Sequence, residues 1–172
     1  MLSYKNIFSN SLSIVRSLKI TADDRAALSM PLSYSYGLSI LHTHLLANAS
    51  ILLRSSISIG SVIEEINKYK CTGFYAVPDT ICILIDKVKL LNSKFNYLRY
   101  VAVAGGALSE KNTKELVRSG VVKELYKMYG LTEATARVSI LEPKLAGLKS
   151  GSSGKAISDT SLKIIDEGGR QL

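Results

Sequence analysis

The sequence predicts an α/β fold: an open, mainly parallel sheet with flanking helices, followed by short β structure at the C-terminal end. Three observations carry this. Apolar spacing switches repeatedly between the helical interval and the short run of a buried strand. A glycine, a proline or a capping hydroxyl stands at most of the switches. After Leu131 the helical interval stops, and strand-like runs surround a Gly/Ser-rich stretch.

Taken in order, Ser3 is a candidate N-cap for a helix in which Ile7, Ile14, Val15 and Leu18 recur at helical intervals. Arg25 to Met30 reads as a short buried strand, Tyr36 to Leu46 as helix, and Ser50 to Leu53 as strand. Ser61 with Glu64 forms a capping box before Val62, Ile66 and Tyr69 on one face. Gly73 to Val77 follows as a strand, and Pro78-Asp79 opens a helix carrying Ile81, Leu84, Ile85 and Val88. Arg99 to Ala104 is an apolar strand ended by Gly105-Gly106. Ser109 caps the next helix, Gly120 closes it, and Leu125 to Met128 is the strand after it. Ala136 to Leu141 and Leu162 to Ile165 are expected strands on either side of Gly147 to Gly154. Asp166 to Leu172 reads as a hairpin turn lacking its second strand. The expected division is an α/β unit over residues 1–141 and the start of a β unit over 142–172.

Composition removes several function classes. With 47% apolar and 21% charged residues, 12 Gly and 3 Pro among 172, the chain is globular and not disordered, collagenous or of low complexity. No run approaches the ~18 apolar residues of a membrane span, and Met1 opens onto no cleavable apolar region, so a cytoplasmic location is expected. Cys71 and Cys82 give neither a disulfide framework nor a metal knuckle, and both read as core. The net charge is +8, and residues 86–128 hold nine basic and four acidic side chains. They are spread along predicted helices and strand ends, which reads as a solvated face. No aromatic ladder interleaves with them, so nucleic acid is not the expected partner. His42 and His44 are two apart on a predicted helix and face different ways, a poor arrangement for a metal. Ser11, Ser13, Ser152 and Ser153 lack the G-x-S-x-G context of a nucleophile.

Chemistry is expected where loops follow the carboxyl ends of parallel strands. One such loop is Ala104-Gly105-Gly106-Ala107, whose glycines let a flat ligand lie on the backbone; its bland reading is an ordinary strand-to-helix turn. The other runs from Tyr126 to Glu133. There Tyr129 can stack on a base, Thr132 can hydrogen-bond a phosphate, and Glu133 can hold Mg²⁺, although a turn with a capping Thr would look the same. The Gly/Ser stretch ending at Lys155 does not make a Walker loop, because Lys149 stands where Gly is needed and Ala156 where a hydroxyl is needed.

Tyr129-Gly130-Leu131-Thr132-Glu133 resembles the YGxTE signature of the adenylate-forming superfamily, which holds acyl-CoA synthetases, peptide-synthetase adenylation domains and luciferases. The resemblance covers essentially the whole chain. Met30-Pro31-Leu32-Ser33-Tyr34-Ser35-Tyr36-Gly37-Leu38 is similar to the LPLxHxxGL segment, and Leu45 to Ala49 to LLxGA with Asn48 for Gly. Val103 to Ser109 resembles the GGAPLS loop without its Pro, Gly151 to Lys155 the GSVGKP element, and Leu162 to Gly168 the VKIVDEDG strand.

The resemblance implies an ATP-dependent carboxylate-activating ligase of acyl-CoA synthetase type, which forms an acyl-adenylate and passes it to coenzyme A or a carrier thiol. ATP or AMP and Mg²⁺ are the implied cofactors. Gly105, Gly106, Ala107, Tyr129 and Gly130 would bind the adenine side, Thr132 the α-phosphate and Glu133 the magnesium. Tyr34, Ser35, Tyr36 and Gly37 fall on the carboxylate and acyl side. Adenylation domains for amino acids place an Asp beside the aromatic where this chain has Ser35, and no acid occurs from Leu28 to Ile63. The expected substrate is therefore a carboxylic acid without an α-amine, of fatty or aryl type. The family's SGTTGxPKG phosphate loop, TGD segment, hinge and catalytic Lys find no match. An internal fragment, inactive alone, is thus expected. The readings kept open beside it are a non-enzymatic α/β partner-binding module, marked by self-association, and a basic nucleic-acid binder.

Overall fold

The computed structural model describes residues 1–28, 30–53 and 59–172. Helix α1 (Tyr4–Leu18) begins at Ser3, whose hydroxyl accepts from the Asn6 amide while the Asn6 side chain accepts from the Ser3 amide. That reciprocal pair satisfies two donors a free helix end would leave open. The chain then alternates: β1 (Arg25–Leu28), α2 (Ser35–Leu46), β2 (Ser50–Leu53), α3 (Val62–Lys68), β3 (Gly73–Ala76), α4 (Pro78–Val88), β4 (Tyr100–Val103), α5 (Glu110–Ser119) and β5 (Glu124–Tyr129). The strands β6 (Ser139–Leu141) and β7 (Lys155–Ala156) flank a single turn of helix, α6 (Pro143–Ala146).

All seven strands form one sheet in the order β2-β1-β3-β4-β5-β6-β7. The first five are parallel, and β6 and β7 join antiparallel. Strands buried on both faces must be apolar in successive residues, and Tyr100-Val101-Ala102-Val103 is buried throughout. Their side chains feed two cores. Phe74, Val101 and Leu125 pack with Ile66 of α3, Ile81 and Leu84 of α4 and Leu116 of α5. Tyr75, Tyr100 and Tyr126 pack on the other face with Ile14 and Leu18 of α1 and Tyr36 and Ile40 of α2. The chain thus passes from one face to the other between α2 and α3, and its strand order turns back between β1 and β3.

Several sequence expectations are corrected. Ser61 is not a capping box with Glu64: it ends a 3₁₀ turn in αR geometry, and its hydroxyl donates to Glu65 at 2.8 Å. Leu162 to Ile165 is not a strand and has only an isolated bridge, Ile165 to Gln171. That bridge also supplies the returning limb of the terminal hairpin, with the Arg170 amide donating to Asp166 Oδ1 at 2.8 Å. The predicted strand from Ala136 begins at Ser139, because Thr135 and Ala136 take left-handed φ of 65° and 77° in the loop before it. Ser29, inside the predicted first strand, lies outside the described residues. Cys71 is buried as expected, whereas Cys82 is half-buried and accepts from Asn112.

Two of the nine basic residues assigned to a solvated face do not simply face water: Arg99 is half-buried in an ion-pair cluster, and Lys127 is buried. Arg99 binds Asp24 at 2.9 Å and Glu124 at 3.2 Å and lies 4.6 Å over the Tyr100 ring, at the amino end of the strands. Lys127 is buried, donating to the carbonyls of Leu108 and Ser150.

Candidate nucleotide and acyl site

A cavity of about 650 Å³ opens at the carboxyl edge of the parallel strands. Its wall is built from the turns that follow them: Pro31 after β1, Val77 after β3, Gly105 after β4, Gly130 and Thr132 after β5. Tyr34, Ser35 and Tyr36, at the start of α2, close one side. Such convergence follows from topology, since only at this edge do several loops of a parallel sheet meet, beside the point where strand order reverses.

Two glycines fix this wall. Gly105 has φ of +84°, a conformation that side chains disfavour, so β4 turns sharply into the loop that ends at Ser109. At Gly130 the need is space: a Cβ there would collide with the Ala136 carbonyl oxygen and lie 2.8 Å from Arg137 Cα. The 130–136 loop therefore folds tightly back on itself and carries Thr132 into the cavity.

Thr132 Oγ1 lies 3.0 Å from Ser35 Oγ. This hydroxyl pair separates the main cavity from a hollow of about 250 Å³ that it also lines, together with Ser39 and His42. Tyr36 is buried, and its hydroxyl donates to the Ala102 carbonyl at 3.0 Å. Burial drives its phenol far above the usual tyrosine range, so it stays neutral. Behind it Tyr75, Tyr100 and Tyr126 cross the sheet in successive edge-to-face contacts.

Arg137 is the residue the sequence reading missed. It is fully buried, and its Nε and Nη2 donate to Ser39 Oγ at 3.2 and 2.8 Å, with further Nη2 bonds to the Ser39 carbonyl and Thr43 Oγ1. Its guanidinium carbon lies 5.9 Å from the centroids of both Tyr36 and Tyr75. Burial raises the Tyr75 phenol, and the nearby cation offsets part of that rise; even so, Nη1 makes no hydrogen bond of normal geometry. The signal available in the sequence is a cation directly before the strand-like stretch Val138-Ser139-Ile140-Leu141.

The other expected residues are placed as follows. Tyr34, Ser35, Tyr36, Gly105, Gly130 and Thr132 come together on the cavity. Gly106 and Ala107 lie exposed on the rim, and Tyr129 is half exposed at the end of β5. Gly37 sits behind the wall, where a Cβ would strike the Pro31 carbonyl. Glu133 faces an adjoining hollow with Asn10 and Thr135 and not the main cavity. Among the described residues no three His, Cys, Asp or Glu side chains cluster as a metal site. A lone exposed carboxylate fits Mg²⁺ shared with a ligand's phosphates better than a resident ion. Lys127 joins the Gly105–Leu108 turn to the 148–154 loop, where Ser150 donates to Glu110 at 3.0 Å. Burial lowers the Lys127 ammonium's pKa, and Glu110 opposes that shift.

A cavity at the carboxyl edge of a mostly parallel sheet, with a Tyr-Gly-Leu-Thr-Glu turn on its wall, defines an adenylate-forming N-terminal fold. The chain belongs to the AMP-binding enzyme family, whose model matches residues 1–172. It is similar to the 2-succinylbenzoate–CoA ligase of Bacillus subtilis, 25% identical over 166 residues, which are 96% of this chain and 33% of that protein. It is also similar to the indoleacetate–CoA ligase of Aromatoleum aromaticum, 26% identical over 164 residues, 95% of this chain and 32% of the relative. Among solved structures, the o-succinylbenzoate CoA synthetase of Bacillus subtilis in complex with AMP matches with a TM-score of 0.88 and 25% identity, over 99% of this chain and 34% of that one. The chain thus spans about a third of the length of these relatives.

Proposed function

We propose that this chain supplies the adenine and acyl walls of an ATP-dependent carboxylate–CoA ligase. The observation that supports this most is the convergence of Tyr34, Ser35, Tyr36, Gly105, Gly130 and Thr132 on one cavity. In the reaction a carboxylate oxygen attacks the α-phosphorus of ATP, the bond to pyrophosphate breaks, and acyl-adenylate forms. A thiol, coenzyme A by analogy with the named relatives, then takes the acyl group and releases AMP.

In this reading adenine lies on the Gly105 backbone with Tyr129 stacked on its face. Thr132 exchanges its bond to Ser35 for one to the α-phosphate, and Glu133 shares Mg²⁺ with the phosphates. The acyl group extends past Tyr34 and Ser35 toward Tyr36. Among the described residues no Asp or Glu is on the cavity wall, so the α-ammonium of an amino acid would be desolvated without a partner, at a cost of several kcal/mol. An acid without that amine is the substrate we assign. On its own the chain is proposed not to catalyse adenylation, because positioned charge is the main source of rate in phosphoryl chemistry and, among the described residues, the cavity wall carries no cation.

Calorimetric titration of the chain with AMP tests the assignment. Binding should weaken about tenfold in Tyr129→Ala, in line with ~1–3 kcal/mol for a base stacked on an aromatic ring. Affinity for AMP that ignores the substitution would overturn the placement of adenine.

A further inference from the structure

Toward the amino edge of the sheet, away from the nucleotide cavity, a second hollow of about 770 Å³ lies between the end of α1 and the strands β5, β6 and β7. Glu124, the first residue of β5, is on its wall, whereas Gly130, just past the end of β5, is on the wall of the cavity. At ~3.3 Å per residue the strand holds these two positions roughly 20 Å apart.

The charge of this hollow is one-sided. Five cations and two carboxylates line it, and both carboxylates are already committed, Glu124 to Arg99 at 3.2 Å and Glu142 to Lys144 at 2.8 Å. Arg16, Lys19, Lys123 and Lys155 are exposed and make no ion pair among the described residues. These cations converge in space. The Glu142 carboxyl is held below its usual range first by the hydrogen bond from Lys144, and then also by the charges of Lys155 and Lys19, which arrive from β7 and from the cap of α1. The negative end of the α1 dipole answers Arg16 and Lys19 in part. Lys123 and Lys155 sit at no helix end. Between the cations the lining residues Tyr126, Ile140 and Ile157 are buried, and a concave wall of low dielectric and single-signed charge concentrates counter-ions.

We propose that this hollow is an anion-binding site, separate from the nucleotide cavity, and that it takes an oligophosphate chain. Three of its four unpaired cations are lysines, whose ammonium groups act on phosphate as point charges, whereas planar carboxylates are matched by the guanidinium fork. One phosphate is too little charge to answer four cations around one hollow. The Tyr126 ring is buried, so a base has no aromatic face to stack on, and the phosphate chain itself is the recognised group. A nucleic-acid strand needs a track of cations interleaved with aromatic rings, and here the cations surround a single hollow.

Sodium tripolyphosphate titrated into the ¹⁵N-labelled chain at physiological salt tests the site. The expected result is saturable shifts of the Lys19, Lys123, Lys155 and Ala156 amides, larger than any at Gly105 or Gly130, with half-saturation below roughly 1 mM. The double variant Lys123→Gln, Lys155→Gln should bind about tenfold more weakly, for the loss of two charge-assisted contacts, with the thermal unfolding midpoint unchanged because both positions are exposed. Orthophosphate should bind these amides more weakly than tripolyphosphate, and ATP no more tightly. Absent shifts, orthophosphate as effective as tripolyphosphate, or undiminished affinity in the double variant would each overturn the proposal. ATP binding the hollow more tightly would make a nucleotide the recognised ligand, and an oligonucleotide that moves these amides where tripolyphosphate does not would assign the surface to nucleic acid; either result also overturns it.

Discussion

At the scale of single residues, the site depends on close approach more than on reactive groups. Gly130 is held by the Ala136 carbonyl, which leaves no room for any side chain. Gly130→Ala should therefore destabilise the chain by about 2–4 kcal/mol, a loss in the range of buried steric defects and measurable as a fall in the urea midpoint. An unchanged midpoint would mean that the 130–136 loop opens easily. The glycines and hydroxyls of this wall were legible because their residue types are restricted. Arg137 was not, because one cation beside a strand looks the same whether it faces water or the core. Lys127 and Arg99 were misread for the same reason, since charge counts carry no information about direction.

Among the elements, helix α2 couples the site to the core. His44 on its last turn is fully buried, and its Nδ1 lies 2.9 Å from the Ile40 carbonyl. A carbonyl only accepts, so Nδ1 carries the hydrogen and Nε2 is left to accept from Tyr100, at 3.4 Å. Burial lowers its pKa to about 4, against 6.5 for the free side chain. Between these values the unfolded chain binds the proton and the folded chain does not, so stability falls as pH drops from 6.5 to about 4. His44→Gln should flatten this part of the stability profile, with unfolding followed by circular dichroism; an unchanged slope would show that another group titrates there. Most elements were legible from apolar spacing. The exceptions follow from physics that spacing does not carry. Leu162 to Ile165 alternates like a strand but finds only one bridging partner, while Lys155-Ala156 is too short to signal and pairs because β6 offers an edge.

Viewed whole, the molecule separates its two ends. Among the described residues the cavity wall at the carboxyl edge of the sheet carries no charged side chain, whereas the amino edge is tied by Asp24, Arg99 and Glu124. Burial alone would raise the Asp24 carboxyl, but hydrogen bonds from Thr72, the Thr21 amide and Arg99 outweigh it and hold it below 3.8. Its contribution is thus complete above pH 3.8 and is lost as pH falls through the lower folded value. Asp24→Asn should cost about 1–3 kcal/mol at neutral pH, discounted for the partly exposed Arg99, and the cost should shrink below pH 3.8. A deficit that is constant with pH would assign the loss to packing. On α1 the side chains of Tyr4 and Phe8 are exposed.

The central claim is that a nucleotide lies at the carboxyl edge of the parallel strands. A titration of the ¹⁵N-labelled chain with AMP, followed amide by amide, addresses it directly. The account predicts that the shifts concentrate at Gly105, Gly106 and Gly130 to Thr132, with the Asp24–Arg99 edge unmoved. Shifts centred on the basic surface of α5, or none at millimolar AMP, would contradict it.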